Sequence, residues 1–294
     1  MQLSAIITQI LAGVSRGSVL FLLSSGLSLI FGVNKVINFM HGSLYLLAMY
    51  ISFSLATEVF QSLQFGFWLS LIFGPMCIAA IGGLTEVILF RHLYAKEHLM
   101  QMVLAMALVY IIGDVIKLSW GVMAKTISTP PGFTGNVEVA GSVVPTYFLL
   151  VIGIGIAVAI SLWVIVNKTR FGRLMRASAT DPSMTKALGV NVPWVMTAVF
   201  VLGSFLAGFA GVLNFPMSSA SLGSDMEATI VAFIIVIIGG TGSVMGTFVA
   251  GLLVGIVEAI GIMFFPQVTI VFIYLLMVAI ILVRPYGIFG RSTD

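Results

Sequence analysis

The 294 residues are 60% hydrophobic and 8% charged, with a net charge of +3 and a mean hydropathy of +1.18. Soluble domains carry about 25% charged residues, so this composition excludes a water-soluble globular protein, and the small net charge gives no basis for nucleic-acid binding. The lone Cys77 cannot form an intrachain disulfide and reads as packing.

Apolar segments fall near 3–31, 36–55, 65–90, 99–120, 143–166, 195–213, 228–239, 246–264 and 268–283. Most approach the roughly 20 residues that cross about 30 Å of hydrocarbon. They are near-continuous and not alternating, which excludes the strands of an outer-membrane barrel. The predicted fold is all-α: a polytopic transmembrane bundle of about eight spans plus one broken or short helix, forming one membrane domain over 1–294. The 31 glycines fit close helix approach in a membrane. The first basic residue is Arg16, so no charged n-region precedes an apolar h-region and no cleaved signal peptide is expected.

In the first segment, Arg16 lies far from both ends and must face protein or water. In the second, Asn38 and His41 are three apart and share a face if that stretch is helical, with Ser43 and Tyr45 close by. Such groups either line a translocation path or hold helices together by hydrogen bonds worth about 1 kcal/mol. Glu86 and Arg91 sit at the end of the third segment and are expected to snorkel. Asp114 and Lys117, three apart in the fourth, are predicted to neutralise each other on one helix face.

The loop 167–194 is unusual for its polarity. Lys168, Arg170, Arg173 and Arg176 in its first part suit lipid headgroups. Asp181 is then a good N-cap, Pro182 fits the first helical position, 183–188 supply nearly two turns, and Gly189 offers a left-handed C-cap. Met184, Ala187 and Leu188 share one face. A free helix this short is unstable in water. It therefore rests on its own bundle or docks into a groove on another cytoplasmic protein.

The segment 228–239 is too short to span and runs into GGTGSVMG. A broken or half-way helix is expected, a feature tolerated at membrane depth only inside protein or beside water. Gly239, Gly240, Gly242 and Gly246 allow close backbone contact there, and Thr241 and Ser243 are candidates to cap the broken ends. Asp225 and Glu227 are expected in an outer loop, as solvated charges or as contacts for a partner. Glu258 has no evident partner.

Basic residues concentrate in 91–98 (Arg91, Lys96), in 167–194 and in the tail (Arg284, Arg291). The loops 56–64, 121–142 and 214–227 together hold Lys125 against Glu58, Glu138, Asp225 and Glu227. The positive-inside rule puts the first group in the cytoplasm, with the N-terminus outside and the C-terminus inside. No G-x-x-x-x-G-K-[ST] occurs, and GGTGS lacks the lysine of a phosphate loop. His41, His92 and His98 are scattered, with neither a metal-ligand spacing nor a Ser–His–Asp set. No catalytic residue, metal or cofactor is expected. The remaining readings are a pore-forming subunit driven by a separate ATPase, an ion-coupled carrier or channel for small amino or organic acids or amides, or a membrane scaffold.

Residues 26–50, GLSLIFGVNKVINFMHGSLYLLAMY, resemble the hallmark of branched-chain amino acid ABC transporter permeases, usually G-L-x-L-I-F-G-x-x-x-x-I-N-F-A-H-G-E-x-x-M-L-G-A-Y. TRFGRLMRASATDPSMTKALGVNV, GGTGSVMGTFVAGLLVGIVE and RPYGIFG resemble the cytoplasmic loop, late membrane segment and ending of the same family. The resemblance implies a type II-like importer permease in a bacterial inner membrane, usually heterodimeric with a second permease. Two cytoplasmic ATPases using ATP and magnesium, and a periplasmic substrate-binding protein, would complete the system. It further implies that Asp181, Pro182, Met184, Ala187, Leu188 and Gly189 form the ATPase-coupling helix. Ser43 stands where the family often has Glu, Met40 where it has Ala, and Ala48–Met49 where it has Gly-Ala. These departures leave the cargo open between branched-chain amino acids and the urea, amides and aromatic or other organic acids that the broad family also carries.

Overall fold

The computed structural model describes residues 2–60, 65–94, 96–139 and 141–290; Arg291 of the basic tail lies outside them. Among the described residues eleven α-helices run in order: α1 Gln2–Asn34, α2 Met40–Ser54, α3 Gly66–Ile88, α4 His98–Trp120, α5 Thr146–Lys168, α6 Arg170–Thr180, α7 Pro182–Ala187, α8 Val192–Asn214, α9 Ser224–Gly239, α10 Val244–Phe264 and α11 Thr269–Val283. Among the described residues eight helical stretches are long and apolar enough to cross a membrane; α6, α7 and α9 are not among them. A short antiparallel hairpin that sequence reasoning did not anticipate, β1 Asn136–Val139 and β2 Ser142–Pro145, turns at Gly141.

Helix α1 is the axis of the bundle. It runs antiparallel to α10 along a glycine seam: a Cβ on Gly17 would fall 2.8 Å from the Gly251 carbonyl oxygen, and one on Gly255 would fall 2.5 Å from the Gly17 Cα. Gly26 meets Gly203 of α8 in the same manner. Without a hydrophobic drive between helices in lipid, such small-residue seams gain their stability from close van der Waals contact.

At the end of α1 the chain doubles back. Lys35 takes a left-handed conformation (φ 57°) and its amide donates to Phe31 O at 3.1 Å, a helix-ending role more often given to glycine. Residues 35–39 are irregular, and α2 starts beside the interior of α1, where the His41 ring nitrogen Nε2 bonds Leu23 O at 2.9 Å. Leu23 lies 11 residues before Asn34, about 16 Å along the helix. Helix α9 also begins at this depth. Ser43 Oγ donates to Asp225 Oδ2 at 2.6 Å, and the Gly42 amide to Thr229 Oγ1 at 3.1 Å.

The shortness of α9 therefore sits at its beginning. GGTGS is a tight turn into α10 beside the end of α1, where the Gly242 amide donates to Ser28 Oγ at 3.0 Å. Gly240 (φ 93°) and Gly242 (φ 76°) both need left-handed backbone. A Cβ on Gly239 would lie 2.5 Å from the backbone of Gly246, and one on Gly246 would collide with the Gly239 carbonyl. Ser243 caps α10 by accepting from the Gly246 amide at 3.1 Å. Thr241 caps nothing; its side chain is exposed, because the turn points it away from both helix ends. Residues 286–290 fold back over the turn, and the Ile288 and Phe289 amides donate to the Ile238 and Gly239 carbonyls at 2.8 and 3.2 Å.

Candidate functional site: a polar cavity and an exposed capped helix

A cavity of about 170 Å³ opens between α1, α2, α8 and the start of α9. One wall is ionic and polar. Arg16 contacts Glu258 of α10 through Nε and Asn214 of α8 through Nη1, each at 3.4 Å. Asn214 Nδ2 donates to Tyr45 Oη at 2.6 Å and to Ser218 Oγ at 2.6 Å. The other wall is aliphatic, with Val19, Leu20, Leu23, Met49 and Val231. The Arg16 side chain is 35% exposed, onto this space.

Of the four residues expected along a path, Tyr45 lines the cavity and the other three do not. His41 through Nε2 and Ser43 through Oγ make interhelical bonds to Leu23 and Asp225 instead, and the His41 Nδ1 is buried without a partner. Asn38 is fully buried in the irregular 35–39 segment, so it shares no helix face with His41, and its amide makes no hydrogen bond.

The intramembrane charges pair differently from their sequence spacing. Asp114 and Lys117 are both exposed and form no ion pair among the described residues. Glu258, without an evident partner in the sequence, holds Arg16, 242 residues away. Asp225 is buried in the first turn of α9 and not solvated in an outer loop, while Glu227 is exposed and lines the cavity. Glu86 is fully buried and meets Arg91 at 3.3 Å, Thr197 at 2.7 Å and Tyr94 at 3.0 Å. Asn214, the hub joining Arg16 to Tyr45, was missed by sequence reasoning; no local spacing marks it.

At the opposite end of α8 lies α7. Asp181 Oδ1 accepts from the Met184 amide at 2.9 Å, Pro182 opens the helix, and Gly189 is left-handed at φ 84°. Thr185 alone turns inward, whereas Met184 and Leu188 are 58% and 74% exposed and Ala187 is exposed beside them. The preceding polar stretch is itself a helix, α6, capped by Thr169 accepting from the Gly172 amide at 3.1 Å. Its Arg170, Arg173 and Arg176 are exposed, and Arg176 also reaches the Val166 carbonyl. Asn191 caps α8 through the Trp194 amide at 3.2 Å. From Val192 to Asn214 is 22 residues, so about 33 Å of one helix separates α7 from the cavity wall.

Residues 9–281 match the sequence model of the family described as branched-chain amino acid transport system / permease component. The chain is 30% identical over 292 residues to the Pseudomonas aeruginosa high-affinity branched-chain amino acid transport system permease protein BraD, covering 96% of this chain and 95% of BraD. It is 28% identical over 297 residues to the Escherichia coli K12 permease protein LivH, with the same coverage. A chain of PsaBC from Streptococcus pneumoniae in complex with Fab aligns at a TM-score of 0.45 and 15% identity, over 95% of this chain and 89% of that one.

Proposed function

The chain belongs to the permease-component family of branched-chain amino acid transport systems, and from that premise we propose that it forms, with a second permease, the membrane path of an ATP-driven importer. Its cargo is a branched-chain amino acid or a related small organic solute, as the names of BraD and LivH suggest. A substrate-binding protein delivers cargo to the end where the cavity opens. Two cytoplasmic ATPases, which alone use ATP and magnesium, dock at the other end against Met184, Ala187 and Leu188. The chain itself binds no cofactor; its relatives are transport permeases, not enzymes. The basic helices α6 and α7 lie in the bacterial cytoplasm, with the N-terminus outside and the C-terminus inside.

The observation that carries this reading is the continuity of α8. One helix bears the capped α7 at its start and Asn214 of the cavity wall at its end. A contact on α7 that differs between ATPase states is thereby transmitted as a rigid-body shift. The exposure of Met184 and Leu188 disfavours α7 resting on its own bundle. Ala187→Arg puts a charge in the docking face without touching the bundle. In reconstituted vesicles this variant is expected to insert normally but lose cargo-stimulated ATP hydrolysis and uptake. Normal uptake would refute the docking role.

A further inference from the structure

Arg16 is an intramembrane cation whose guanidinium is only partly occupied. Its two hydrogen bonds are long, both 3.4 Å, and its side chain opens onto a cavity instead of being sealed by protein. A guanidinium has five N–H donors in a planar fork, more than Glu258, Asn214 and the nearby Tyr45 hydroxyl fill. Charged groups inside a membrane bundle are expensive and mark ligand pathways by default. The cavity, about 170 Å³, is close in size to one of about 150 Å³ that holds a single benzene. It therefore suits one small molecule. Its wall offers one cation, Arg16, one anion, Glu227, and an aliphatic surface of Leu20, Leu23, Met49 and Val231.

We propose that this cavity is a cargo-holding station within the permease, where Arg16 takes the carboxylate of a small aliphatic amino acid, Glu227 faces its ammonium and the aliphatic wall receives its side chain. The planar fork matches a carboxylate in two-point geometry that a lysine cannot reproduce. Because Asn214 ties Arg16 to the end of α8, a carboxylate on the guanidinium is sensed at the helix that carries α7. This inference rests on the importer reading above.

The test is equilibrium binding of radiolabelled leucine to the purified complex of this chain with its partner permease, without the binding protein, with leucinamide as the competitor lacking a carboxylate. Leucine is expected to bind at least about tenfold more tightly than leucinamide, the size of one charge-assisted hydrogen-bonded contact. Arg16→Met is expected to erase that difference by weakening leucine alone. Glu258→Gln breaks the same ion pair but frees the guanidinium, so leucine is expected to bind more tightly. A wild-type complex that binds no leucine, an Arg16→Met complex that loses leucine and leucinamide equally or neither, or a Glu258→Gln complex that loses leucine as Arg16→Met does, would each overturn the proposal in favour of a purely structural ion pair. Should Arg16→Met fail to assemble, Arg16→Gln gives the same comparison, because it removes both the charge and the fork while keeping a hydrogen-bonding side chain. ATP-driven uptake by the wild-type complex in vesicles is scored separately. Its absence defeats the importer reading, whereas uptake without carboxylate discrimination at Arg16 defeats only this inference.

Discussion

Glu86 has no exposed surface, and Arg91, Tyr94 and Thr197 converge on its carboxylate. Burial, and next the Glu86 charge, push the Tyr94 phenol far above its ordinary value, so Tyr94 stays a hydrogen-bond donor at any working pH. Glu86→Ala leaves three polar partners facing an apolar gap. A stability loss of about 2–3 kcal/mol is expected, moderated because Arg91 is partly solvated. Thermal unfolding of the purified protein measures this, and Glu86→Gln should lose less. The glycines divide just as sharply. Gly246→Ala drives a methyl group into the Gly239 carbonyl and is expected to abolish stable expression, whereas Gly153→Ala meets nothing within 4 Å and should be neutral. The sequence marks Gly246, within GGTGSVMG, for close backbone contact and shows Gly153 only as a glycine in an apolar run. Likewise it shows Arg91 five residues after Glu86, but Thr197 is 111 residues away. Charge partners set by packing carry no spacing signal, which is why Asp114–Lys117 looked paired and Arg16–Glu258 did not.

Elements whose causes are local could be read in advance. Helix α7 has its cap, its proline and its left-handed glycine within nine residues, 181–189, so its form needs no tertiary information. Asp181→Ala should lower α7 stability by about 1 kcal/mol, and Gly189→Ala, at φ 84°, by about 1–2 kcal/mol. Both are expected to raise the ATP hydrolysed per cargo molecule transported in reconstituted complexes, with little change in the melting of the bundle. Starting points that depend on long-range bonds could not be read. The onset of α2 beside Leu23, and of α9 beside Ser43, follows from His41, Ser43 and Asp225 bonds between distant segments. Helix α6 was legible only as a basic run, since its apolar face packs on α5 and α8 through Met175 and Phe171.

For the molecule as a whole, the spans were the most legible feature, because bilayer thickness dictates helix length independently of partners. Assembly was the least legible, since the glycine seam of α1 and α10 joins residues more than 200 positions apart. Two intramembrane glutamates, Glu86 and Glu258, are committed to arginines, an arrangement that disfavours a proton relay through them. Uptake is accordingly expected to persist for minutes after a proton ionophore is added and to stop promptly when ATP hydrolysis is inhibited. Rapid collapse with the ionophore alone would favour an ion-coupled carrier. The closure of residues 286–290 over the α9–α10 turn bears on order in time. During synthesis α9 emerges about fifty residues ahead of the amides that satisfy its last carbonyls. The re-entrant corner therefore waits, with its carbonyls unpaired, until α11 has been inserted. Gly287→Val, at a left-handed position where an added Cβ would fall 2.6 Å from the Gly240 nitrogen, is expected to leave that corner ajar, and pulse-chase proteolysis should then find nascent chains cut near the turn long after the spans are in place.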